Sequence, residues 1–274
     1  MEQFQELIKK WQSFSITSVS DLDNALDSFK VEFAYNSGKI ENDKVTYHDT
    51  REIFENGKVT GYTGETRAIF EQQNQKLCYE YLKEKIVSKE PLSMDLLKET
   101  HRILTAGTYD ERRFLVNNER PGEFKKHDYV VGKDEIGAAP QDVEQEISEL
   151  LEEVCAYSGK EILTLAAYFH CKFESIHPFA DGNGRTGRTL MNYILMTHGY
   201  PPVVIYNDDK PVYVECLNKF DTQGEIDAMV SFLRYEISKT WIKYFDRSQH
   251  RQASDKKLDG YVSKHRKHND FPEL

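Results

Sequence analysis

The chain has 274 residues and a mass of 32.0 kDa, with 36 basic and 46 acidic side chains and a formal net charge of -10. That length carries one large domain or two small ones with a sizeable core, and the acidic balance weighs against general affinity for nucleic acid or an anionic membrane. No apolar run approaches the roughly 18 residues that a spanning helix needs, and the opening MEQFQELIKKWQSF lacks the apolar centre of a secretory leader, so the sequence reads as a soluble, cytoplasmic protein.

Helical spacing of apolar residues dominates the chain. One run passes through Leu22, Leu26, Phe29 and Phe33, and a second spans Thr66 to Ile86 with Ile69, Leu77, Tyr81 and Leu82. A third starts after Ser93, a natural N-cap, and carries Leu96, Leu97, Ile103 and Leu104. The best strand signal is residues 122–131 (GEFKKHDYVV), which predicts a small β-hairpin. Val143, Ile147, Leu150, Leu151 and Val154 share one helical face, as do Ile162, Ala166, Phe169, Phe173 and Ile176. A sixth run follows Gly187 with Leu190, Ile194 and Leu195 and stops at His198–Gly199. Further helix is expected near residues 211–217 and 226–245. The fold class is therefore all-α, with one hairpin.

Residues 57–64 (GKVTGYTG) mark either a joint or a tight loop within a single domain. The division adopted is an N-terminal helical segment 1–60, a main body 61–246, and a polar tail 247–274 that is either a loosely packed helix or disordered. The cysteines, Cys78, Cys155, Cys171 and Cys216, are widely spaced and lack C-x-x-C pairing; buried free thiols in a reducing compartment are the reading.

Residues 177–189 read HPFADGNGRTGRT. Gly182 to Gly187 is a literal G-x-G-x-x-G, and residues 203–206 (VVIY) followed by Asp208 and Asp209 offer the strand and acid of a dinucleotide-binding fold. The preceding segment argues against it: residues 161–176 have helical periodicity and run directly into His177-Pro178, where proline ends the helix. The loop is then helix–loop–helix. Its N–H groups and the following helix start form an anion site. Arg185 and Arg188 on one face make a cradle for a polyphosphate. Asp181 is placed to hold Mg2+, and His177 to accept a proton from a hydroxyl.

These residues carry a resemblance. HPFADGNGR-TG-R is similar to H-x-F-x-[DE]-G-N-G-R-x-x-R, the signature of the Fic (Fido) family of protein adenylyltransferases, with His177, Phe179, Asp181, Gly182, Asn183, Gly184, Arg185 and Arg188 at the signature positions. The resemblance implies transfer of AMP from ATP to a Ser, Thr or Tyr hydroxyl of a target protein. It gives His177 the role of base, Asp181 that of Mg2+ ligand, and Gly182, Asn183, Gly184 and Arg185 the α/β-phosphate region. Arg188 would meet the γ-phosphate, and Phe179 would anchor the loop. The Gly122-Glu123-Phe124-Lys125 stretch resembles the family's flap, which docks an extended target segment, although an ordinary surface hairpin is the alternative. Residues 210–221 (KPVYVECLNKFD) resemble the nucleoside-side segment, with Tyr213 lining the adenine pocket and Leu217 in the core; Asp221 stands where some members have Asn. Homodimers are common in the family.

Residues 37–42 (SGKIEN) match [S/T]-x-x-x-E-[G/N], the family's inhibitory motif. By that resemblance Glu41, with Ser37 on the same helix face, pairs with Arg188 and displaces the γ-phosphate. Removal of AMP from a modified target, transfer of another nucleotide or phosphocholine, a dinucleotide-dependent oxidoreductase, and a binding module with a vestigial site are the other readings.

Overall fold

The computed structural model describes residues 2–129 and 137–245. Its helices, in chain order, are α1 (Glu2–Gln12), α2 (Val19–Ala25), α3 (Phe29–Glu41), α4 (Tyr47–Asn56), α5 (Thr66–Ser88), α6 (Met94–Leu104), α7 (Val143–Ala156), α8 (Ile162–Ile176), α9 (Asn183–Thr197) and α10 (Lys210–Gln223), followed by α11 at residues 227–245. A π-helical turn (Arg112–Val116) and a 3-10 turn (Asn207–Asp209) complete the set. None of the helices among the described residues is long and apolar enough to cross a membrane.

The centre is the pair α8 and α9, which pack on each other along their length, with α7 and α10 against α8 and with α3, α5 and α6 against α9. Helix α8 is apolar nearly all round: Leu163, Leu165, Ala166, Phe169, Cys171, Phe173 and Ile176 are all buried, which is the composition of a helix enclosed on every side. The long α5 bridges α2, α3, α4 and α6. Ser93 caps α6 by accepting from the Leu96 N–H at 3.2 Å.

Two helix boundaries differ from the periodicity. The run from Leu22 to Phe33 is two helices, because the chain turns at residues 26–28 while its apolar residues stay in the core. Helix α9 begins at Asn183, before the apolar pattern starts. Its first turn buries Asn183, Arg185 and Thr186 in place of apolar groups, so hydrophobic spacing emerges only at Leu190. Helix α1 is an addition to the expected helices: Phe4, Leu7, Ile8 and Trp11 are buried and Trp11 meets Trp241 edge-on with ring centroids 5.0 Å apart.

The hairpin expectation needs correction: no strand occurs over residues 122–129, and residues 130 and 131 lie outside the described residues. The N–H groups that a ladder would use are taken elsewhere. Gly122 N donates to His101 Nδ1 at 2.9 Å, Lys125 N to the Pro178 carbonyl at 2.9 Å, and Lys126 N to Glu119 Oε1 at 3.0 Å. The cysteine reading is corrected in one place: all four thiols are free, but Cys155 is exposed, since α7 turns the neighbouring Val154 inward. The tail 247–274 lies outside the described residues.

Phe173 is fully buried between Phe169 and Phe179. Truncation to alanine removes a ring from a closed site, and Phe173→Ala is expected to lower unfolding free energy by about 3–5 kcal/mol, read from the midpoint of urea denaturation.

Candidate active site

Helix α8 ends at His177, whose backbone is left-handed at φ 50° and ψ 62°. Pro178 disfavours continuation of the helix, and a non-glycine residue holds positive φ only where its surroundings fix it. The loop then crosses to α9 through Gly182, at φ 83°. Gly182 supplies no capping side chain, so the first turn of α9 keeps the orphan N–H groups of every helix start. Asn183 locks the loop: its Oδ1 accepts from Phe179 N at 2.9 Å and its Nδ2 donates to Phe179 O at 2.7 Å. That side chain is spent inside the loop, leaving its main chain for a ligand.

A second clamp comes from α6. His101 stacks on Phe179 with centroids 3.6 Å apart and planes 2° from parallel. Its Nδ1 accepts from Gly122 N, so the ring proton sits on Nε2, which donates to Asp181 O at 2.8 Å. Burial pushes this imidazole down to about 3, so it stays neutral. Arg113 adds a bond from Nε to Ala180 O at 3.2 Å. Phe124 packs against Phe179, with ring centroids 5.4 Å apart, and Lys125 is buried beside the loop. The Gly122, Phe124 and Lys125 stretch therefore borders His177 and its loop.

Both arginines are interior groups. Arg188 donates from Nη2 to Glu41 Oε1 at 2.7 Å and to Ser37 O at 2.9 Å, and from Nε to Ser37 Oγ at 3.1 Å. Its side chain is 2% exposed, whereas Glu41 remains 39% exposed. Desolvation alone would raise the Glu41 carboxyl, but Arg188, Arg185 and Lys210 outweigh it and hold it below the ordinary carboxylate value. A Cβ on Gly184 would fall on the Glu41 carboxylate and 2.7 Å from Arg188 Nη1, so only glycine leaves room for that ion pair over α9. Lys210 Nζ donates to Ile40 O at 2.6 Å, which fixes the C-terminal turn of α3.

Arg185, 1% exposed, lies 3.3 Å from Glu71 Oε1 and 3.4 Å from Asp181 Oδ1. Its Nε and Nη1 are buried without a hydrogen-bond partner. Asp181 also receives Arg67 Nη2 at 2.7 Å. Burial would raise the Asp181 carboxyl, but Arg185, Arg67 and Arg113 hold it low. Tyr213 is buried with its hydroxyl 2.8 Å from His170 Nε2, behind Arg188, whose guanidinium lies 6.0 Å from the tyrosine ring. Leu217 packs at the edge of the core, and Asp221 is exposed and takes the Ser175 hydroxyl.

His177 is depressed to about 4, by burial first and by the Lys125 ammonium second. It is neutral near pH 7, the form able to accept a proton. Glu174, one turn before it on α8, is pushed up to about 8 by burial.

Residues 91–195 match the Fic/DOC family. The chain carries a Fic/DOC domain. The matched span runs from the start of α6 almost to the end of α9 and holds every residue of the His177–Arg188 loop. Among curated proteins, the chain is 31% identical over 241 residues to "Protein adenylyltransferase Fic" of Nematostella vectensis, covering 82% of this chain and 51% of that one. It is 31% identical over 212 residues to the protein of the same name from Drosophila persimilis, covering 75% and 39%. The chain thus spans about half the length, or less, of these relatives. Among solved structures, a Fic domain containing signaling protein from Bacteroides thetaiotaomicron superposes with a TM-score of 0.75 at 26% identity, covering 86% of this chain and 93% of that one. Fic-1 of C. elegans (residues 134–508) superposes at 0.74 and 21% identity over 91% and 72%, a likeness of fold.

The Fic/DOC domain contains polar residues that the sequence did not single out: His101, Arg113, Glu174 and His170. Arg67 and Glu71 of α5 lie outside the matched span yet touch it, Arg67 at Asp181 and Glu71 at Arg185.

His101 and His170 stay neutral when folded, both near 3, and ionise near 6.5 when unfolded. The unfolded chain therefore binds more protons below about pH 6.5, and stability falls as pH drops toward 4. Glu174 acts in the opposite sense, costing stability as pH rises from about 4.5 to 8. His170→Gln is expected to make the stability-against-pH slope between pH 6 and 5 shallower by about 1.4 kcal/mol per unit, measured by urea unfolding at each pH.

Proposed function

We propose that the chain is a protein adenylyltransferase that moves AMP from ATP to a Ser, Thr or Tyr hydroxyl of a target protein, and that Glu41 restrains it. The observation that carries this reading is the pairing of the interior Arg188 with Glu41, beside a neutral His177 at the mouth of an uncapped helix start. A guanidinium in that position suits a γ-phosphate as well as a carboxylate, because both present oxygens to its fork.

In this reading His177 takes the proton of the target hydroxyl. The freed oxygen forms a bond to the α-phosphorus while the bond from that phosphorus to the bridging oxygen breaks, and pyrophosphate leaves. Arg185 and the N–H groups of Asn183 and Gly184 stabilise the charge that develops on the α/β-phosphates; the buried Arg185 Nε, which has no hydrogen-bond partner, supports that role. Tyr213, held by His170, closes the nucleoside side. A target chain would lie against residues 122–129, which border the His177 loop.

Among the described residues no three His, Cys, Asp or Glu side chains gather as metal ligands. The donor set is the Asp181 carboxylate alone, which fits Mg2+, an ion usually shared between one or two carboxylates and phosphate oxygens. Asp181 would hold it, and the ion would neutralise phosphate charge. The free cysteines support a reducing, cytoplasmic setting.

While Glu41 holds Arg188, the γ-phosphate lacks its partner and ATP sits in a pose that withholds the α-phosphorus. With labelled ATP, Mg2+ and cell lysate, Glu41→Gly is expected to raise label transfer to protein severalfold over the unmodified chain, and Glu41→Gly with His177→Ala to abolish it. Equal labelling with and without Glu41 would remove the brake; labelling that survives loss of His177 would remove the base. The exposure of Glu41 also suits orientation of a water for AMP removal; Glu41-dependent loss of label from a modified protein identifies that direction.

A further inference from the structure

Four charged side chains close a ring around Asp181 and the first turn of α9. Arg67 Nη2 is 2.7 Å from Asp181 Oδ2, Asp181 Oδ1 is 3.4 Å from Arg185 Nη2, Arg185 Nη1 is 3.3 Å from Glu71 Oε1, and Glu71 Oε1 is 2.9 Å from Arg67 Nε. Two guanidiniums alternate with two carboxylates, so the ring is neutral. Its members differ in freedom. Glu71 and Arg185 are each 1% exposed, whereas Arg67, in the first turn of α5, is 33% exposed. Glu71 is further fixed by Asn42 Nδ2 at 3.0 Å, from the residue that follows Glu41.

A divalent cation on the Asp181 carboxylate and a guanidinium 2.7 Å from Asp181 Oδ2 compete, by like charge and for the same lone pairs. Arg185 has no exit, because it is enclosed. Arg67 has one, because a third of its side chain is already exposed and can swing further into solvent. We propose that Arg67 is a resident counter-cation on Asp181, occupying the position of the divalent ion and leaving it when the ion enters. The ring is then the metal-side equivalent of the Glu41–Arg188 pair: each satisfies with the protein's own charge a group that the substrate complex would otherwise use. Asn42 joins the two, since it adjoins Glu41 in the chain and bonds to Glu71. This inference rests on the metal role proposed for Asp181.

The test is a titration of the full chain with Mn2+ alone, free Mn2+ being read by electron paramagnetic resonance, with no nucleotide present. Arg67→Gln leaves the ring with a net negative charge and is expected to bind Mn2+ roughly tenfold more tightly than the unmodified chain. Arg67→Lys keeps a cation beside Asp181 and is expected to stay within about twofold of the unmodified chain. Asp181→Asn combined with Arg67→Gln is expected to erase the gain. A merely structural ion pair predicts unchanged or weaker binding in Arg67→Gln, and that result overturns the proposal. So does a gain that survives Asp181→Asn, or the absence of Mn2+ binding in every form. Because no nucleotide or transfer step enters, the titration can fail while Glu41-restrained AMP transfer stands, and the reverse.

Discussion

A guanidinium taken out of water must find an anion, and this fold encloses two of them, Arg185 and Arg188, in the first turns of one helix. The cost of an uncompensated buried charge is several kcal/mol, so the surroundings of α9 are arranged around supplying negative charge. Glu41 and the Ser37 oxygens serve Arg188; Glu71 and Asp181 serve Arg185. The compensation is uneven. Arg188 makes short, directed bonds, whereas Arg185 meets its carboxylates at 3.3 and 3.4 Å and its Nε is buried without a hydrogen-bond partner. The surroundings of α9 are thus charge-balanced in the isolated chain, with the Arg185 Nε a buried donor left unused.

The scaffold holds that arrangement rigid. α8 and α9 supply the packed pair, and the loop between them is fixed from three sides: by Asn183 across its own turn, by His101 from α6, and by Lys125 N on the Pro178 carbonyl. His177 is held in a left-handed backbone conformation at the junction. Its neutral state follows from the enclosure that positions it, because the wall that removes water also disfavours the imidazolium.

How much of this was legible depends on how far apart the partners lie in sequence. The His177–Arg188 loop was readable because its chemistry is local: proline after the helix, glycine at the turn and two arginines three apart. The helices α7 and α8, with their continuous buried apolar residues, were readable for the same reason, whereas α5 buries Glu71, Gln72, Asn74 and Gln75 and exposes Leu77. Arg67 and Glu71 carry no local signal, since a basic residue and an acid four apart read as an ordinary surface pair on a helix; their meaning comes from Asp181 and Arg185, more than a hundred positions later. His101 and Gly122 likewise acquire their bond only once α6 lies beside the loop. The hairpin was misread because a short alternating pattern does not reveal that its N–H groups are committed to His101, Glu119 and Pro178. Helix α1 carried a usable pattern in Phe4, Leu7, Ile8 and Trp11, but its polar residues obscured it.

The Glu41–Arg188 contact joins residues of a single chain, 147 positions apart. Such a contact is unimolecular: its effective concentration is set by the packing of α3 against α5 and α9 and does not change when the protein is diluted. The contact itself therefore needs no second copy of the chain to form, and a motion that loosens α3 from α9 would break it.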